Sequence, residues 1–184
     1  LKTQSTEMGH ISNQVTWAAL AHPTIQFKLI HNKRTLLDVR PCESIIQRIH
    51  LLYGREFADN LLEFETENPD FQIHCFIGKP DFTKANRNYQ LFFMNRRPIR
   101  SKIIGAALNE AIGSMMPKDR YPIIFLFLKL DPKEVDVNVH PAKTEVRFRN
   151  ERAVYSQIVK TLQSCIYRHK YIPEIKSQDE SAET

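Results

Sequence analysis

The sequence predicts an α+β domain in which helices pack on a mixed β-sheet, and three observations carry that reading. Apolar residues recur at helical spacing in several separate stretches, alternate with period two in others, and in one run occupy both pleat faces. These patterns follow one another without regular βαβ repetition, which sets the chain apart from doubly wound folds. With 184 residues, 42% of them hydrophobic, the chain is long enough to bury one substantial core, and length favours a single domain.

Met8, Ile11, Val15, Ala18 and Ala19 place a helix over residues 5–21, stopped by His22-Pro23. A hairpin follows: Ile25, Phe27 and Leu29 alternate with polar residues, His31-Asn32-Lys33 turns the chain, and a short strand runs over Leu36–Val39. Ile45, Ile46, Ile49 and Leu52 share one face of a second helix, with Gly54 just past its end. Phe71, Ile73, Cys75 and Ile77 form one strand and Tyr89, Leu91 and Phe93 another, with a basic loop over residues 80–88 between them.

Ile103, Ile104, Ala107, Leu108, Ala111, Ile112 and Met115 make an apolar stripe that packs a helix on the sheet. Ile123 to Leu128 is apolar at every position, which predicts a central strand covered on both sides. Asp131-Pro132-Lys133 ends it, and Val135, Val137 and Val139 alternate in a further strand. A last helix starts at Asn150 and carries Tyr155, Ile158, Val159, Leu162 and Ile166; the polar residues 171–184 read as the start of a linker.

The net charge of +5 is uneven. The tail from Tyr171 holds one Lys against four acids, which leaves +8 on residues 1–170. Between Lys79 and Lys102 lie seven basic residues and a single acid, interleaved with Tyr89, Phe92 and Phe93, a composition suited to nucleic-acid phosphates. The three cysteines form no C-x-x-C pair and leave an odd one over, which suits plain thiols in a reducing compartment. No membrane span is expected, and the start at Leu1 reads as a boundary within a longer polypeptide.

A phosphate cradle needs closely spaced glycines, whereas the five glycines here stand at least eight positions apart. Walker, Rossmann and serine-hydrolase loops are therefore absent. Glu56 to Asn60 fits E-x-x-x-N, a metal and nucleotide motif of one ATPase superfamily, but its Asp-x-Gly-x-Gly companion is missing and the match reads as chance. The seven histidines show no zinc-site spacing, so no metal site is expected.

Two segments resemble the MutL family of mismatch repair proteins. One is Leu91-Phe92-Phe93-Met94-Asn95-Arg96-Arg97-Pro98-Ile99-Arg100 with the striped helix after it; the other is Val135-Asp136-Val137-Asn138-Val139-His140-Pro141-Ala142-Lys143-Thr144-Glu145-Val146-Arg147-Phe148. Ala18–Pro23 and Leu51–Gly54 add weaker support, so the likeness covers roughly residues 1–170. It implies the second, or transducer, domain of a GHKL ATPase region, a fold like the second domain of a small-subunit ribosomal protein. The nucleotide pocket, with its ATP and Mg²⁺, then belongs to a preceding domain.

The resemblance further implies that Lys143 reaches the γ-phosphate of ATP, and that Asn95, Asn138, His140 and Pro141 are motif positions. It places Arg97, Arg100 and Lys102 on DNA. Many bacterial relatives have Asn-Gly-Arg where this chain has Asn95-Arg96-Arg97, and some have Arg at the position of Lys102. Phosphate contacts of this kind position a protein without reading sequence. Implied with the family are a homodimeric parent, the mismatch recognition protein MutS, a downstream nuclease or helicase as partners, and a bacterial cytoplasmic, nucleoid-associated location. The fragment alone should be inactive as an ATPase. A topoisomerase counterpart would carry Gln-Thr-Lys where Pro141-Ala142-Lys143 stands, and a free-standing ribosomal-type protein would have an intact start.

Overall fold

The computed structural model describes residues 4–66, 71–136 and 146–170. In chain order these form α1 (Gln4–Ala21), β1 (Phe27–His31), β2 (Arg34–Val39), α2 (Ile45–Tyr53), α3 (Arg55–Asp59), β3 (Leu61–Glu65), β4 (Phe71–Gly78) and β5 (Thr83–Lys84). Then come β6 (Gln90–Met94), β7 (Arg97–Ile99), α4 (Lys102–Ile112), β8 (Tyr121–Pro122), β9 (Ile124–Leu130), β10 (Val135–Asp136), β11 (Arg147–Phe148) and α5 (Glu151–Lys170).

The main sheet has the order β3-β4-β9-β6-β7. The doubly apolar run is its central strand, as its composition requires: β9 pairs antiparallel with β4 and parallel with β6. Parallel neighbours need a crossover, and α4 supplies it between β6 and β9. The sheet is therefore mixed, and the fold is α+β with helices on both faces.

Alternation in each strand sorts side chains between two cores. Ile73, Cys75 and Ile77 of β4 and Ile124, Leu126 and Leu128 of β9 meet Ile104, Leu108 and Ile112 of α4 and Ile158 and Leu162 of α5. On the other face Phe76, Leu91, Phe93 and Phe125 meet Leu20 of α1, Ile49 of α2 and Phe57 of α3. Phe93 and Phe127 stack at 4.5 Å across the β6–β9 pair. Burial pushes the Cys75 thiol well up and the Cys165 thiol to about 12, so both stay protonated in the core.

Local chemistry fixes the helix ends. Ser44 Oγ accepts from Gln47 N and Ser101 Oγ from Ile104 N, while Asn150 Oδ1 accepts from Ala153 N, capping α2, α4 and α5. Gly54 ends α2 at φ +91°, a conformation that a side chain would strain. At Gly78 a Cβ would lie 2.6 Å from the Phe82 carbonyl oxygen, so the turn after β4 accepts no other residue without moving.

The structure departs from the sequence expectations in two respects. The predicted stripe of α1 is only partly covered: Ala19 is buried, but Ile11 is exposed. Of the strand expected at Val135, Val137 and Val139, Val135–Asp136 is described, and Val137 and Val139 lie outside the described residues. The elements α3, β3, β5, β7, β8 and β11 had no counterpart in the sequence reading, since five residues or fewer carry too little periodicity to stand out.

Arg48 is the unexpected core residue. Its side chain is fully buried in α2 and donates from one terminal nitrogen to the carbonyls of Pro23 (2.5 Å) and Ile25 (2.6 Å). Cys42 N donates to the same Pro23 oxygen, so the α1–β1 joint is held from two sides. Replacing Arg48 by Ala should leave these carbonyls short of partners and open a cavity, lowering stability by about 2–4 kcal/mol in urea denaturation.

Candidate nucleic-acid interface

Within the basic segment, some cations contact groups of the protein itself and others do not. Lys79 Nζ donates to the Asp59 carbonyl at 3.0 Å, and Lys84 Nζ lies 5.2–5.8 Å from the ring centres of Tyr89, Phe82 and Phe57. Both cations are engaged within the fold. Arg87 stacks on Tyr121 at 4.9 Å, which holds its guanidinium plane in place. The exposed remainder is Arg96, Arg97, Arg100 and Lys102, all on the β6–β7 hairpin and the start of α4.

That hairpin is a two-residue turn. Phe93 pairs with Pro98 and Met94 with Arg97, and Asn95 and Arg96 bridge them at φ +46° and +65°. Asn95 also clamps the end of the central strand: its Nδ2 donates to the Leu130 carbonyl at 3.0 Å and its Oδ1 accepts from Leu130 N at 3.1 Å. Asn95 therefore has a structural task in this fold. Arg96 occupies a backbone region where glycine is at ease, which explains why a glycine fits this turn and what the arginine costs.

Period two places Arg97 and Ile99 on one face of β7, and Pro98 and Arg100 on the other. The structure thus separates two residues that the resemblance groups together. Arg100 joins Arg87 in an open groove of about 300 Å³, whose other walls include Gln14 and Trp17 of α1, Asn88 and Gln90. Lys102 stands in the first turn of α4, just after its Ser101 cap, where no acid is present to offset the helix dipole. Two arginines thus line the groove, and Lys102 adds a positive charge at the helix N-terminus two residues after Arg100. Among the described residues Arg97, Arg100 and Lys102 form no ion pair.

Gln14, Trp17, Asn88 and Gln90 were not singled out by sequence. Their approach depends on α1 packing against β7, which are more than 70 positions apart, and nothing local signals it. Asn138, His140, Pro141 and Lys143 lie outside the described residues. The described base of their segment is β10 paired with β11, Val135 opposite Phe148 and Asp136 opposite Arg147. Among the described residues no group of three His, Cys, Asp or Glu is arranged to hold a metal, and no helix is long and apolar enough to cross a membrane.

Residues 49–167, from α2 to α5, match the family described as DNA mismatch repair protein, C-terminal domain. The chain belongs to the MutL family of mismatch repair proteins. It is 33% identical over 179 residues, 97% of its length, to MutL of Thermoanaerobacter pseudethanolicus, and 38% identical over 175 residues, 95% of its length, to MutL of Chlorobium luteolum. With MutL of Geobacillus kaustophilus it shares 36% over 182 residues, 99% of its length. The chain spans only 28–29% of these relatives.

The fold is that of solved relatives. The crystal structure of the N-terminal domain of a DNA repair protein superposes with a TM-score of 0.76 at 22% identity, over 91% of this chain and 56% of that one. The Aquifex aeolicus MutL ATPase domain complexed with ADP gives 0.54 at 21% identity, over 72% and 46%. The α+β class expected for a MutL chain is what the sheet order displays.

The turn geometry yields a paired test. Asn95→Ala should cost about 1–3 kcal/mol, because it leaves the Leu130 backbone groups without their clamp. Arg96→Gly should instead gain roughly 1 kcal/mol by relieving the left-handed backbone. Chemical denaturation of both variants, with opposite signs expected, decides whether the turn works as described.

Proposed function

We propose that this chain is the transducer part of a MutL protein, coupling ATP binding in a preceding GHKL domain to DNA engagement and to recruitment of other repair proteins. The observation that carries the proposal is the set of exposed cations at the sheet edge, Arg96, Arg97, Arg100 and Lys102, with Arg87 across the groove. These residue types bind phosphate through charge, and Arg also through a planar fork. Contacts of this kind hold DNA of any sequence.

Nucleotide chemistry enters from the preceding domain in this reading. The widely spaced glycines supply no phosphate cradle, so ATP and Mg²⁺ are held elsewhere in the parent protein. Lys143 is the residue that this chain contributes. An ammonium on a flexible stem meets a γ-phosphate as a point charge, and ADP offers it nothing to meet. Partners in this reading are DNA, a mismatch recognition protein MutS, a downstream nuclease or helicase, and a second copy of the parent, in the bacterial cytoplasm at the nucleoid.

Two measurements test the reading. If about three phosphates are neutralised, the log-log salt slope should be about −2.7, so a fourfold rise in salt weakens binding by about 40-fold. The triple variant Arg97→Glu, Arg100→Glu, Lys102→Glu should lose affinity for every duplex by a similar factor; unchanged binding places the DNA site elsewhere. In the full ATPase region, Lys143→Ala should slow ATP hydrolysis by about tenfold or more while leaving ADP affinity alone. Wild-type hydrolysis, or equal loss of ADP and ATP binding, removes Lys143 from this role.

A further inference from the structure

The sheet edge opposite β7 is incompletely covered. There β3 pairs with β4 alone among the described strands. Period two turns Leu62 and Phe64 to the α4–α5 side, where both are only partly buried. Two openings lie on that side. The larger, about 590 Å³, is bounded by Leu62 and Ile77 of the sheet, Ile112 and Met115 at the end of α4, and Ile166 of α5. The smaller, about 200 Å³, lies between Phe64 and the Lys160, Ser164 and Arg168 positions of α5. Cys165 lines both, so the two are contiguous and form one groove along β3 and α5.

Apolar surface and positive charge are both left uncovered in this groove. Of the six large apolar side chains exposed among the described residues, Met115 (43%) lines the larger opening and Tyr167 (64%) directly follows Ile166. The smaller opening holds two cations, Lys160 and Arg168, against one acid, Glu65, and neither cation forms an ion pair among the described residues.

The chain supplies a matching occupant within reach. Residues 171–184 follow α5 directly, carry Tyr171, Ile172 and Ile175 at their start, and hold four acids against one Lys. Pro173 lacks an amide hydrogen and disfavours helical backbone at the residue before it, so the path of α5 has no continuation through it. Lys170 ends α5 about 6 Å along the axis from Ile166, and an extended chain covers about 3.3–3.6 Å per residue, which carries Ile172 back about 7 Å and Ile175 about 17 Å.

We infer that residues 171–175 fold back into this groove, placing Ile172 and Ile175 against Leu62, Met115 and Ile166, with the carboxylates that follow facing Lys160 and Arg168. The seat covers the apolar surface and screens the open edge of β3. The linker then begins after Ile175 rather than at Tyr171. Because β3 and β7 are the two ends of the sheet, the acidic residues are held at the edge away from the exposed cations of the β6–β7 hairpin.

NMR on the 184-residue chain with labelled Ile, Leu and Met methyl groups tests the seat. The Ile172 and Ile175 methyls should give nuclear Overhauser contacts to the methyls of Met115 and Leu62. The double variant Ile172→Asp, Ile175→Asp should shift the Met115 and Leu62 signals while leaving Ile49, in the core on the other face, in place. Amides of residues 172 and 174–175 should exchange at least about tenfold more slowly in the parent chain than in that variant. Charge reversal by Lys160→Glu with Arg168→Glu should reduce this protection at low salt. Absence of any contact between the two isoleucines and the groove, or equal exchange in parent and variant, overturns the inference. So do contacts that arise only between chains in a mixture of differently labelled protein, which make a second copy the occupant.

Discussion

The constraint on which the rest of the structure depends is that the central strand is apolar on both faces. Ile123 to Leu126 are all essentially without solvent contact, so neither face of β9 tolerates water. One helical layer does not suffice. The parallel β6–β9 pairing brings α4 across one face, α5 joins it there, and the short α2 and α3 with the end of α1 close the other. Sheet order, crossover and layer count all follow from burying that strand.

The same constraint decides where a binding surface is left. With both faces covered, the exposed positions of the sheet are its rims, and β7 is a three-residue edge strand whose neighbours are cations. A basic edge resists pairing with a foreign strand, and the same charges attract phosphate. The Asn95 clamp on Leu130 ties this edge to the end of β9, so the cationic hairpin is fixed to the central strand of the sheet. Lys79 and Lys84 show the other fate of a basic residue, since aromatic rings and a carbonyl engage them.

Much of this was legible without coordinates. The stripe of α4, the alternation of β4 and β6, the run of β9 and the Asn150 cap each depend on residues within a few positions, where helix and strand periods impose themselves directly. The groove was not legible. Gln14 and Trp17 meet Arg87 and Arg100 because α1 lies along β7, and no local pattern encodes a meeting of residues 70 or more positions apart. The buried Arg48 was equally hidden, since an arginine at a helical position reads as solvated until its carbonyl partners are known.

By itself the sequence determined the class of fold, its central strand and the family, because periodicity and short motifs are properties of neighbouring residues. The tertiary structure alone decided which cations remain exposed, that Arg87 and Arg100 line one groove with Trp17, and that Ile11 of α1 is left uncovered. Those facts depend on which distant surfaces meet. A charge is available to a ligand, and an apolar side chain to a partner, only when packing has left them uncovered.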